Sequence, residues 1–180
     1  SNSTWGSGGV NGDFINLRVS ALGLLVGYLN LDLEFKLADE WSVGPTVSYW
    51  KFNYDSTYYT GGKLESTYKA FGARANWSQN GTYRTGLYVS PMLQFVSADV
   101  TGVSVNTGQT ITGTASAPVL TGLVGYQWFM ADGLNINVGA GLSVGTSSTK
   151  AEATDGTTTV QVESSRTSGL ALDLMMGYVF

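Results

Sequence analysis

The chain has 180 residues, 43% of them hydrophobic and only 12% charged, and its 9 basic and 13 acidic side chains leave a net charge of −4. That length suits one domain, and the basic residues are too few and too scattered to form a surface for nucleic acid. Cysteine and histidine are both absent, which excludes a disulfide framework and a thiolate metal site and removes the commonest general base and metal ligand.

Residues 1–12 are polar and glycine-rich and read as a segment ahead of the folded domain, which the pattern places at residues 13–180; they carry no secretory signal, so the expectation is a chain whose signal has been removed. A first strand is expected near Phe14–Leu22. The longest apolar run, Ala21–Leu29, has nine residues, far from the roughly 20 that a membrane helix needs. Within it, Ala21–Gly27 is apolar where a first outer loop belongs. It reads as a tight turn lying in lipid, with a greasy entrance for a small hydrophobic ligand as the alternative.

From Leu29 to Leu37 the period becomes two: Leu29, Leu31, Leu33, Phe35 and Leu37 alternate with Asn30, Asp32, Glu34 and Lys36. An extended strand sorts these onto opposite faces, whereas a helix would scatter the charges around its circumference. Weaker alternation marks Trp41–Phe52, Tyr68–Trp77 and Val119–Trp128, and clearer alternation marks Tyr83–Phe95, Leu134–Val144 and Leu170–Phe180. With the first strand these make eight.

The breaks alternate in character. Ala38-Asp39-Glu40, Ser78–Thr82 (with Asn80-Gly81) and Ala131-Asp132-Gly133 are short turns, while 53–63, 97–116 and 145–165 are long, polar and rich in Thr, Ser and Gly. Short turns at one end and long loops at the other describe an all-β, eight-stranded antiparallel up-and-down transmembrane barrel, with short periplasmic turns and long extracellular loops. An even strand number puts both termini at the periplasmic end. A soluble barrel also shows period two, but its outer face should be charged. Here the polar faces are small and neutral in several strands (Ser42, Gly44, Thr46, Ser48; Asn135, Asn137, Gly139, Gly141), which suits a cramped interior. Trp41, Trp77, Tyr83, Trp128, Tyr178 and Phe180 gather near the short turns and the C-terminus, where an aromatic girdle belongs.

Parity sends Arg18, Asp32, Glu34, Lys36, Arg74 and Asp173 into the lumen, three cations and three anions. An eight-stranded barrel is only just wide enough for its side chains, so these groups should pair into a closed polar plug; a gated ion path is the alternative. On the outer face, Lys51 and Lys69 fall at the outer interface and, with Arg166, are candidates for lipid headgroup or lipopolysaccharide phosphates; lysines reaching to water are the plainer reading. No catalytic constellation appears, because barrel-embedded acyl-transfer and protease sites need histidine; the expectation is a protein that is not an enzyme, with no cofactor and no metal. Asp132-Gly133 and Asp155-Gly156 read as turn residues.

The C-terminal strand, ending Leu174-Met175-Met176-Gly177-Tyr178-Val179-Phe180, and the segment Val43–Trp50 carry a resemblance to the small eight-stranded outer-membrane barrels, the class of OmpX and the OmpA transmembrane domain. The resemblance covers nearly the whole chain. It implies a bacterial outer-membrane location, a monomer, and reading of the terminal Phe180 strand by the barrel-assembly machinery. That class includes adhesins, narrow channels and lipid enzymes, so the resemblance fixes architecture and not task. The functional expectation is a structural, surface-interaction protein acting through its loops on an unidentified extracellular partner. A narrow pore for ions or small molecules, hydrophobic ones included, is the alternative.

Overall fold

In the computed structural model, residues 15–56, 62–103, 110–153 and 159–180 are described. Among them eight antiparallel strands close a barrel in simple chain order: β1 (Ile15–Ser20), β2 (Tyr28–Lys36), β3 (Trp41–Ser56), β4 (Gly62–Ser78), β5 (Gly86–Val103), β6 (Thr110–Phe129), β7 (Leu134–Ala153) and β8 (Thr159–Val179). The ring shuts at β1–β8, where Ile15 N–H donates to the Phe180 carbonyl at 3.1 Å and Phe180 N–H returns a bond to Ile15 at 3.0 Å. The expected eight-stranded all-β barrel is therefore the observed one.

The register sets the barrel's shape. Cross-strand partners run from Arg18 through Asp32, Thr46, Gly72, Gln94, Val119 and Gly145 to Thr167. Carrying the β8–β1 register (Asn16 opposite Val179) onward from Thr167 lands at position 28, ten residues beyond the starting Arg18. A stagger of that size in eight strands tilts them by roughly 40° and leaves a lumen that side chains can fill.

Local chemistry makes the short-turn end. Ala38 and Trp41 exchange backbone hydrogen bonds around Asp39-Glu40. Gly81 (φ 101°) and Gly133 (φ 96°) take the left-handed backbone that their turns require. The Asp132 carboxylate accepts from Leu134 N–H at 3.2 Å, and the Asn80 amide donates to the Thr85 carbonyl at 2.8 Å. Thr82 N–H and hydroxyl donate to the Asp39 and Ala38 carbonyls, at 2.7 and 3.1 Å, which lashes two neighbouring turns together.

Three sequence expectations change. Most of 53–63, 97–116 and 145–165 is strand rather than loop, because β3 to β8 run 16 to 21 residues each, β7–β8 shifting register between Ser147 and Thr149. Threonine and valine favour extended backbone, and a ladder wet on both faces needs no hydrophobic alternation to persist. The first strand stops at Ser20, and Ala21–Leu25 forms a one-turn helix, α1, whose start is capped by Ser20 Oγ accepting from Gly23 N–H at 3.1 Å. Finally, β5 begins at Gly86 and not at Tyr83. The expected segment 1–12 lies outside the described residues, as do Phe14 of the expected first strand and the Asp155-Gly156 turn.

Burial is inverted relative to a water-soluble domain. Among the described residues the lumen holds Asn16, Arg18, Asp32, Glu34, Arg74, Gln127, Asn135 and Asn137 almost without solvent contact, while Leu93, Leu120, Leu142, Leu170 and Leu172 stand out from the wall, Leu170 and Leu172 each 75% exposed.

Candidate functional site in the barrel lumen

Inward parity on β1, β2, β4 and β8 brings five of the six expected charges together. Arg74 of β4 is the centre of one cluster: its guanidinium donates to Asp32 at 2.9 Å and to Asp173 at 2.7 and 3.2 Å, and its Nε to Ser90 at 2.7 Å. Tyr88 completes that cluster, its hydroxyl donating to Asp173 at 2.5 Å with its ring facing the guanidinium 5.9 Å away. Glu34 of β2 is the centre of the other, accepting from Arg18, Ser42, Asn16 (2.9 Å) and Asn76 (3.0 Å). The clusters share one layer, since Asn76 also accepts from Arg74 Nε at 3.2 Å.

Lys36 does not join them. It ends β2 at the rim, where its ammonium sits 3.8 Å from the exposed Asp39 carboxylate. A lysine within reach of water keeps its charge solvated. Among the described residues the lumen thus holds two cations and three anions, and neutral donors make up the difference, Asn16, Ser42 and Asn76 on Glu34 and Tyr88 on Asp173. Pattern alone put Ser42 on the small, neutral inward face; the partners of all four depend on register between strands, which alternation within one strand does not reveal.

Below this layer the short-turn end has an apolar floor. Tyr83, expected in the girdle, is instead 1% exposed and clusters with Phe129 and Val179. Its backbone has φ 60°, which turns the chain inward, and its hydroxyl donates to the Glu34 carbonyl at 3.0 Å. Trp41, Trp77, Trp128, Tyr178 and Phe180 do lie on the outer wall at this end. Trp41 and Trp77 are cross-strand partners, Trp77 Nε1 donates to Glu40 at 3.1 Å, and Tyr178 stacks with Phe180.

At the opposite, open end the cations are on the outside. Lys51 stands ten positions from Trp41 on β3, Lys69 eight from Trp77 on β4, and Arg166 twelve from Tyr178 on β8, which puts them roughly 20–30 Å above the turn-end ring. Lys51 is held by Glu65 at 2.9 Å, and that hydrogen bond and charge raise its pKa above the ordinary lysine value. Arg166 crowns a groove of about 550 Å³ on the outer wall, lined by Leu93, Pro118, Leu120, Val144 and Ser168. Among the described residues no cluster of acidic side chains suits a metal ion.

Closed strand order, a paired polar core and an apolar exterior define the class: a small eight-stranded up-and-down barrel with its polar side turned inward. Within that class the chain belongs to the family described as protein of unknown function (DUF3575), whose model matches residues 3–176. No curated protein and no solved structure matches.

Proposed function

We propose that this protein is an integral barrel of a bacterial outer membrane, closed to flow along its axis, whose role is structural and is exercised at the surface through its open end. The observation that carries this reading is the inversion of burial: leucines 54–75% exposed girdle a lumen of paired charges. In water such an exterior would be an aggregation hazard, whereas lipid replaces the contacts it lacks. The height between the turn-end aromatics and the open-end cations matches a hydrocarbon layer of about 25 Å. Short turns and both termini then face the periplasm, the long strands of β3 to β8 stand above the outer surface, and the exposed Phe180 strand is the segment for the assembly machinery. The pore alternative is weaker, because two clusters of ion pairs and an aromatic floor occupy the path.

The test is insertion. Refolded into phosphatidylcholine vesicles, the full chain should show heat-shifted gel mobility, with protease added outside trimming only one end. A water-soluble monomer that ignores vesicles would overturn the reading.

Lipid contact follows from the same placement. Of the three expected contacts Lys51 is engaged by Glu65, which leaves Lys69 and Arg166 to meet lipopolysaccharide phosphates, and the groove below Arg166 suits an acyl chain. Each cation near an anionic surface contributes about 1 kcal/mol. Lys69→Gln with Arg166→Gln should therefore reduce co-purified lipopolysaccharide clearly more than Lys51→Gln does; equal retention in all three would return these residues to simple solvation.

A further inference from the structure

The lumen changes character along its axis. Below, inward side chains are nearly solvent-free and most are held in ion pairs or hydrogen bonds, and the inward glycines Gly125 and Gly139 are needed to clear the Tyr88 ring. Above Asp32 and Arg74, the inward positions among the described residues carry no charge at all: Tyr28 and Asn30 on β2, Ser48, Trp50 and Phe52 on β3, Tyr68 and Ala70 on β4, then Ala115, Ala117, Gly169 and Ala171 on the far wall. The charged residues at that height, Lys51, Glu65, Lys69, Asp99 and Arg166, have outward parity.

This upper half is a chamber. Tyr28, Trp50 and Tyr68 are cross-strand partners in one row, and the Tyr28 and Tyr68 rings approach to 6.2 Å although the whole of β3 lies between their strands. Rings two strands apart converge that closely only on the concave face. Trp50 adds a contact to Phe52 at 5.6 Å, yet both are more than a third exposed, so the space beside them is open. A side chain built at Gly169, opposite, would meet nothing within 4 Å. The chamber floor offers hydrogen-bond acceptors: Thr46 Oγ1, Ser48 Oγ and Asn30 Oδ1 are buried with no hydrogen-bond partner among the described residues, Thr46 and Ser48 being over nine-tenths buried.

The chamber also has a side. β1 pairs with β8 only as far as Ser20 opposite Met175, and β2 with β3 only as far as Tyr28 opposite Trp50. Above those points no described residue continues the ladder on the facing edges of β8 and β3. The gap is bordered by α1, which contacts β2 and β8 and exposes Leu22, Leu24, Leu25 and the following Val26. Unpaired backbone at membrane depth is tolerated only where it is buried in protein or lines a water-filled cavity.

We propose that the upper lumen is a binding chamber for a small, uncharged, ring-bearing molecule with a hydroxyl or N–H donor, exchanged sideways with the membrane through the α1 gap. Rings on one wall stack on the ligand body, small residues on the other leave it room, and the buried oxygens below take its donor proton. The absence of inward charge disfavours ions. The proposal rests on the membrane reading above, because the gap opens at lipid depth only if the leucine belt is in lipid.

The experiment uses the full chain in phosphatidylcholine vesicles, with Trp5, Trp41, Trp77 and Trp128 changed to Phe so that Trp50 alone reports. Titration with 2-naphthol should quench Trp50 saturably, and naphthalene-2-sulfonate, the same ring with an anion, should not. Tyr28→Ala with Tyr68→Ala should weaken 2-naphthol at least about tenfold; the milder Ser48→Ala should weaken it about fivefold, the size of one neutral hydrogen bond. Leu142→Ala on the outer wall should change nothing. Acyl chains brominated near the headgroup should quench Trp50 in the absence of ligand. Quenching that never saturates, or that is the same in all three variants, overturns the chamber, and Trp50 insensitive to bromolipid overturns the lateral gap. Both of those outcomes, seen on protein with heat-shifted mobility, leave the membrane reading standing; failure to insert overturns that reading and the proposal with it.

Discussion

Replacing Arg74 by alanine should cost about 3–5 kcal/mol of stability, the expected consequence of leaving Asp32 and Asp173 buried without their cation. Arg74 supplies hydrogen bonds to both carboxylates, to Ser90 and to Asn76, and the neighbouring cation, Arg18, is already paired with Glu34. The penalty comes mostly from the orphaned anions. Arg74→Met combined with Asp32→Asn and Asp173→Asn should therefore recover most of the loss, because a neutral, volume-matched core no longer needs the ion pair. Urea unfolding in vesicles, followed by tryptophan fluorescence, measures both. A plug that serves only structure predicts lower stability with no new conductance in Arg74→Ala; a conductance that appears would make the Arg74 pairs a gate.

Tyr83 gives the second large effect. Its ring is fully buried in the floor against Phe129, 6.0 Å between centroids, and its positive φ is a conformation that a bulky residue adopts only when its surroundings hold it there. Tyr83→Ala should cost about 3 kcal/mol or more through the lost ring, while Tyr83→Phe removes one hydrogen bond and should cost about 1 kcal/mol. Trp41→Ala, on the outer wall of the barrel, is the comparison. A loss at Tyr83 no larger than at Trp41 would return Tyr83 to the girdle.

How much of this was legible in the sequence depends on how each element is coded. Leu29–Leu37 and Leu170–Phe180 alternate cleanly because the barrel's outer face is apolar and its lumen polar, so parity placed Asp32, Glu34 and Asp173 inside, and the less regular first strand and Tyr68–Trp77 placed Arg18 and Arg74 there. The upper halves of β3 to β8 read as long polar loops because Thr, Ser and Gly there give no apolar face, and only the alternating spacing of Thr101 to Thr112 and Thr157 to Val162 points to strands projecting from the barrel. Tyr83 misled for a backbone reason: its position beside a turn matches a girdle residue, and only φ 60° sends it inward. Lys36 has inward parity, but it ends its strand, and parity carries no information on height. The stretch Ala21–Leu25 has neither period, being a single helical turn beside a gap in the wall. The chamber itself escaped notice because its rings sit on three strands and meet only through the β2–β3–β4 register.

The central claim is a barrel whose lumen is shut by paired charges above an aromatic floor. Single-channel recording of the refolded full chain in a planar bilayer, on protein whose heat-shifted mobility shows that it has folded, tests it most directly. A silent trace at applied voltage is the expected result. Discrete, reproducible current steps from the unmodified chain would contradict it, and would make Arg74, Asp32 and Asp173 the first residues to examine as a gate.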